Sequence, residues 1–381
     1  MSGTIIVTGL PELDLHADQV DVLLQRTGAP VTAQWWWMRI WAATHPTWQP
    51  LAVLVGGGTG GLTAAALLAR RHRGPVVEVV ALGGAQSDYP WLPAVTPRDA
   101  EELAMGVRRA LGRRPWRLRI DDLPEGDSSL SALLRILPVA RVIPGAGAPV
   151  VDLTTGPAVA DSLRHQARKS VRQGRNRLRT DGCSVQTLST SDPAQVTALL
   201  PRLEAVHRAR DRAARGATDL DAPDNRAFWH AVLSEAARRG ALEITVMSVN
   251  GVIAGYMIAL LDGGVYRSWD NRLVEEFGRY GIGHLVRDEV FRRISSDDRW
   301  TQFDWMIGTE PYKLTTANRV VPTQRMQAWS SPWLEHAEQL AKRQQERLRR
   351  LQRVAKGKLY RRRTEPLSPS CDPRVQPGRV R

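Results

Sequence analysis

Three apolar runs divided by two tight-turn signals constrain this 381-residue chain most. ALEITVMSV, Asn250-Gly251, VIAGYMIALL, Asp262-Gly263-Gly264 and VYRSWD predict strand, turn, strand, turn, strand. Asn-Gly accepts the positive φ angles that a two-residue hairpin turn requires, so it marks the first turn strongly. Helices are expected before this meander, over 193–210 and 224–239. After it come a glycine-bearing loop, RLVEEFGRYGIG, and a helix over 284–293. A strand over 302–307 carries Asp304 into GTEPYK, and a strand over 323–329 follows.

The first part of the chain is harder to read. LAVLVGGGTGGLTAAALLARRHRGPVVEVVALGG contains Gly56, Gly58 and Gly61 in a GxGxxG pattern after an apolar run, with Glu78 further on. Such glycines let backbone approach a pyrophosphate at a helix start. The same residues also read as a hairpin, with 51–55 and 62–68 as strands. Ala64–Ala66 favour a helix, whereas the lack of a following βαβ alternation and the glycine density favour a turn. Trp35, Trp36, Trp37, Trp41 and Trp48 open this body, and the 37–41 spacing suits one helical face. Core packing and a wall against a second body is the first reading, and a stacking platform for sugar or base the second. Residues 99–111 and 128–137 read as helices, the latter with a serine cap. Residues 116–120 and 150–153 read as strands.

Charge sharpens the organisation. The net charge is +14, and 48 of the 53 basic residues are arginine. Residues 1–150 carry +1 and residues 181–334 carry −1, whereas 151–180 carry +5 and 335–381 carry +9. Two near-neutral bodies are thus joined by a basic connector and followed by a basic tail. In the connector, Arg164, Arg168, Arg172, Arg175 and Arg179 recur at helical spacing, with Gly182 as a helix end. They form either a solvated face or a seat for an anion. Only two cysteines occur, Cys183 and Cys371, which excludes a disulfide scaffold and a cysteine zinc site. The first residues, MSGTIIVTGLPELDLHADQ, have no signal-peptide pattern, and no apolar run reaches about 18 residues. The expectation is a cytoplasmic protein without a membrane span.

The second body's order of hairpins, glycine loop, helix and strand resembles the GNAT acyltransferase fold. The runs YRSWDNRLVEEFGRYGIGHLVRDEVFRR and FDWMIGTEPYK narrow this to GNAT-like acetyltransferases of the cellulose and exopolysaccharide biosynthesis type. LEAVHRARDRAARG and FWHAVLSEAARRGALEITVMSVNGVIAG are similar to the same family. So are the connector with Asp181-Gly182, Leu82-Gly83-Gly84 with Asp88-Tyr89, and Ile120 with Leu123-Pro124. The resemblance spans residues 34–330. It implies an α+β fold of two tandem GNAT-like modules, each a mixed, mostly antiparallel sheet flanked by helices, as in Fem-type aminoacyl transferases. The implied parts are an N-terminal module (1–155), a basic connector helix (156–182), a C-terminal catalytic module (183–334) and a basic helical, then disordered, tail (335–381). It also turns the GxGxxG stretch into a hairpin.

The resemblance implies acyl-coenzyme A as donor, bound by Arg279, Tyr280, Gly281, Ile282, Gly283 and His284. The family pattern Q/R-x-x-G-x-G/A is met only in its glycines, because Gly278 stands where the basic residue belongs and Arg279 is displaced by one place. Backbone N–H groups at a helix start still suit a phosphate. Amine acylation needs an oxyanion stabilised and a proton moved. Asp304 is the expected base or ammonium holder. Lys313, one of only five lysines, is expected to neutralise phosphate or oxyanion. Tyr312 is expected to protonate the leaving thiolate, and Glu310 joins this catalytic group. His207, Arg210, Trp269 and Asp270 are expected at the acceptor. No metal is expected.

The expected function is transfer of an acyl group, acetyl first, from acyl-coenzyme A to an amine of a sugar, an envelope precursor or a specialised metabolite. One alternative keeps the fold and takes aminoacyl-tRNA as donor, with the connector and tail as its polyanion contacts. Another is a non-catalytic RNA-binding protein of the same fold.

Overall fold

The computed structural model describes residues 3–56, 60–154, 157–341, 343, 344, 347 and 348, with side chains of the connector from residue 168 onward. Gly58, the Arg164 side chain, Cys371 and the expected disordered end lie outside the described residues. The chain divides into unit Met1–Ser330 and unit Ser331–Arg381. In the second unit, residues 332–341 are helical. No helix among the described residues is long and apolar enough to cross a membrane.

The first unit holds two seven-stranded, mostly antiparallel sheets flanked by helices, the α+β layout expected of two modules in tandem. The first sheet starts with β1 (Gly3–Thr8), β2 (Gln49–Gly56), β3 (Leu62–Arg73), β4 (Val76–Ala81), β5 (Trp116–Pro124) and β6 (Val139–Pro144). The second contains β7 (Ala148–Asp152), β8 (Val185–Thr190), β9 (Leu242–Val249), β10 (Val252–Asp262), β11 (Val265–Leu273), β12 (Gln302–Asp304) and β13 (Arg319–Val321). The last strand, β14 (Thr323–Trp329), returns to the first sheet between β5 and β6. β7 meanwhile pairs with β12 and β13. The modules therefore exchange strands across the expected cuts at 155 and 334. The sequence-local cut fails because sheet pairing follows edges left open in space, not chain order.

The helices are α1 (Leu10–Asp14), α2 (Ala17–Arg26), α3 (Trp35–Thr44), α4 (Pro97–Leu111), α5 (Ser128–Ile136), α6 (Pro157–Thr180), α7 (Pro193–Arg215), α8 (Pro223–Arg238), α9 (Ile282–Ile294) and α10 (Pro311–Leu314). The GxGxxG stretch is a hairpin turn: β2 and β3 pair antiparallel from Gln49↔Arg70 to Gly56↔Leu62. Gly56 has φ +112°, and a Cβ there would lie 2.6 Å from the Gly61 carbonyl. Glu78 bridges Arg71 and Arg117 across neighbouring strands. β2 is apolar and buried from Pro50 onward because both its faces are covered. Leu51, Val53 and Val55 face the core under α4 and α5, while Ala52 and Leu54 face the tryptophan core.

That tryptophan core joins the modules. Trp37 is fully buried, with Phe228 and Trp269 rings at 5.5 and 5.4 Å in edge-on contact. Trp35, Trp36 and Trp41 are buried beside it, and the Arg71 guanidinium lies 4.1 Å over the half-buried Trp48 ring, so this group packs as core. The α5 helix is capped by Asp127, whose carboxylate accepts from the Ser129 and Leu130 N–H groups, and not by a serine. A carboxylate here also suits the positive end of the helix.

Candidate active site

The expected strand over 302–307 stops at Asp304. Its carboxylate accepts the Met306 N–H at 2.7 Å, Met306 adopts φ +58°, and the Trp305 N–H turns to the Pro149 carbonyl. β12 therefore pairs with β11 only over Val265–Arg267, while β11 runs on to Leu273 beside β10 alone. The second edge of β11 is left without a strand partner beyond Arg267. Alternate backbone N–H and C=O groups along such an edge are available to a ligand.

A cleft of about 290 Å³ opens there. Its sheet side is formed by Gly255, Tyr256, Asn271 and Arg272. Its helix side is formed by Gly281, Ile282, Gly283 and His284 at the start of α9, with Gly278 before them. Arg287, Trp305 and Tyr312 line it as well. Gly281 has φ +65° and occupies the position before the first helical residue. A 3-10 turn over Glu275–Tyr280 ends at Gly281, and the next N–H groups, of Ile282 and Gly283, bond to no backbone carbonyl among the described residues, so they form an anion seat with the helix dipole behind them. Gly255 lets this helix start approach β10, since a Cβ there would lie 2.8 Å from Ile282 Cγ2.

Among the described residues no carboxylate lines this cleft. Arg272 is neutralised by Asp270 at 2.7 Å and by Asp211 at 3.1 Å. Burial pushes the Asp270 carboxyl up, but Arg272, His207 and Tyr256 outweigh it and hold it at about 2. His207 Nδ1 lies 3.0 Å from Asp270, and the Tyr256 hydroxyl donates to the same oxygen at 3.0 Å. Burial, followed by Asp270, raises the Tyr256 phenol well above its ordinary value, so it stays protonated. Burial and then Glu310 raise Tyr312, whose hydroxyl bonds Asn271. Burial and then Arg287 lower the His284 imidazole.

The structure thus brings Tyr312, Gly281, Ile282, Gly283 and His284 together at one opening. Other expected residues have different surroundings. Asp304 is 2% exposed and bound by Arg267, the Tyr89 hydroxyl and the Met306 N–H. It faces the module junction, not the cleft. Lys313 is buried, donating to the Ile307 carbonyl at 2.8 Å with Glu310 at 3.1 Å. Arg279 pairs with Asp181, and the Tyr280 hydroxyl donates to Asp181 at 2.8 Å, so both turn toward α6. Arg210 lies 3.9 Å from Glu275. Trp269 packs on Trp37, and Asp270 stands behind the cleft wall. The arginines of α6 line a separate groove of about 720 Å³ with Arg168, Arg172, Arg175 and Arg179.

Sequence reasoning missed Arg272, Arg287 and Trp305. Arg287 had one signal: it lies four residues after Gly283, on the helix face that otherwise holds Val290 and Ile294.

Comparison with known proteins fits this geometry. A family model described as "Acetyltransferase (GNAT) domain" matches residues 165–314. This stretch is thus similar to that domain family. It contains the open edge of β11, the α9 start and Tyr312. FemX superposes with a TM-score of 0.59 at 10% identity, covering 84% of this chain and 97% of FemX. The C-terminal domain assigned to a lysylphosphatidylglycerol synthetase of Agrobacterium fabrum superposes with a TM-score of 0.52 at 10% identity. That match covers 86% of this chain and 95% of the other. At these identities the likeness is one of fold. No curated protein matches the chain.

Proposed function

We propose that the protein is an N-acyltransferase that takes its acyl group from acyl-coenzyme A. The observation that carries this reading is the cleft itself, where an unpaired strand edge meets a glycine-rich helix start. The diphosphate of the donor sits on the Ile282 and Gly283 N–H groups. The pantetheine amides pair along β11, and the thioester reaches Tyr312.

The acceptor's neutral amine attacks the thioester carbon. The C–N bond forms, the C–S bond breaks, and the amine loses a proton to water, since among the described residues no carboxylate lines the cleft. Backbone N–H groups of β11 stabilise the oxyanion. Tyr312 gives its proton to the leaving thiolate, for which a phenol kept protonated is suited. Asp304 is a positioning residue, because its bond to the Met306 N–H makes the corner that opens the cleft. The acceptor class is an amine on a sugar, envelope precursor or specialised metabolite.

A specific observation keeps a second reading alive. The α6 groove gathers Arg168, Lys169, Arg172, Arg175 and Arg179 around one acid, Asp288, which Arg175 pairs. Aminoacyl-tRNA as donor would use it. Thiol release from acetyl-coenzyme A over a panel of amines separates the two. Amine-dependent release supports the first reading. Amide formation only with aminoacyl-tRNA, abolished by ribonuclease, supports the second and overturns the first.

A further inference from the structure

Arg287 lies on α9 one turn beyond the anion seat at Gly283, and it is only 7% exposed. Tyr312 and Asp288 favour its charge only at longer range, without direct contact. Among the described residues it forms no ion pair. Its contacts are a hydrogen bond to His284 Nδ1 and the Trp305 ring at 5.9 Å. The nearest acid in sequence, Asp288, is taken by Arg175 at 2.9 Å. Arg272, the other arginine of the cleft, differs in having two carboxylates. Charged side chains are rarely this buried without a partner, because desolvation is costly. Burial accordingly lowers the affinity of Arg287 for its proton, although arginine remains charged.

We infer that Arg287 receives an oxyanion carried by the donor, and that this ligand group completes the ion pair the fold leaves open. The inference rests on the acyl-coenzyme A reading of the cleft. Two groups of a donor have the required chemistry. One is a phosphate, shared between Arg287 and the start of α9. The other is a carboxylate ending the acyl chain, as in a succinyl or glutaryl thioester. A planar guanidinium matches either with two parallel hydrogen bonds.

The test uses the full chain, with Arg287→Gln and Arg287→Lys, titrated by calorimetry with acetyl-coenzyme A and with succinyl-coenzyme A. If the oxyanion is a phosphate, Arg287→Gln weakens both ligands by about tenfold or more, and Arg287→Lys by less. If it is the acyl carboxylate, the wild type prefers the succinyl donor and Arg287→Gln removes that preference, weakening succinyl-coenzyme A by about tenfold more than acetyl-coenzyme A. Equal affinity of wild type and Arg287→Gln for both ligands overturns the inference while leaving the donor reading intact. No binding of either thioester by the wild type overturns the donor reading and the inference with it. Thermal melting of the ligand-free proteins supplies an independent readout. Removing an unbalanced buried charge is expected to leave the melting temperature equal or higher. A marked drop for both variants would assign Arg287 a structural role and contradict the inference.

Discussion

Arg267 and Asp304 form an ion pair at the junction of the two modules, with the carboxylate side chain only 2% exposed. Arg267 reaches there from β11, the strand that forms the cleft, and its other anchor is Asp262 at 2.8 Å. The pair therefore fixes the point at which β11 and β12 part. Breaking a buried pair leaves one charge uncompensated, which costs about 3–5 kcal/mol. Asp304→Asn is expected to lower unfolding free energy by about this amount, read by urea denaturation. Stability equal to wild type would show that the pair does not hold the corner.

Tyr312→Phe isolates the proton donor. It keeps the edge-on contact with Trp305, whose ring lies 5.7 Å away. Loss of a general acid reduces turnover by about 10²-fold or more. The expected result is a fall in kcat with KM little changed, measured by thiol release. Unchanged kcat would remove Tyr312 from the chemistry.

Asp88 gives the protein a pH signature. Burial, followed by the Asp122 and Asp304 carboxylates, pushes its carboxyl up to about 7. Below pH 4 it is protonated whether folded or not, and contributes nothing. Between about pH 4 and 7 the unfolded chain ionises while the folded one does not, so stability falls as pH rises. At 1.36 kcal/mol per pKa unit the loss above pH 7 is on the order of 4 kcal/mol. Asp88→Asn is expected to be more stable than wild type at pH 8, with the gap closing toward pH 4. Parallel stability curves for the two proteins would contradict this.

Gly174 couples α6 to the cleft loop. A Cβ there would lie 2.2 Å from the Tyr280 carbonyl oxygen. That carbonyl immediately precedes Gly281, so Gly174→Ala must push the loop or the helix aside. Overpacking of this kind costs about 1–3 kcal/mol. Lower thermal stability together with weaker donor binding is expected. A variant that matches wild type in both would show that the loop yields without consequence.

The second module was legible in sequence because its signals are local. Asn250-Gly251 does form the β9–β10 turn, with Asn250 at φ +51° and Gly251 at φ +79°. The glycines of 281–283 open α9 for the same local reason. The catalytic reading of Asp304 and Lys313 had no such footing. Their side-chain partners, Tyr89, Arg267 and the Ile307 carbonyl, are set by tertiary packing. Likewise β14 and β7 carry ordinary strand patterns, and nothing in a strand's own residues names the sheet it joins. Arg287 reads as a surface arginine until the helix is docked and its face turned inward. The basic excess was legible as a connector and a tail, and the connector stripe does line one groove.

In the proposed function, the start of α9 and the open edge of β11 hold the coenzyme A part of an acyl donor. Calorimetric titration of coenzyme A into the wild type and into Gly283→Glu tests it most directly. Gly283 already has little room, since a Cβ there would lie 3.2 Å from Leu273 Cδ2, and a carboxylate would add repulsion to the phosphates. Saturable one-to-one binding by the wild type, lost in Gly283→Glu, is the predicted result. No heat of binding in the wild type, or equal binding by the two proteins, would contradict the claim.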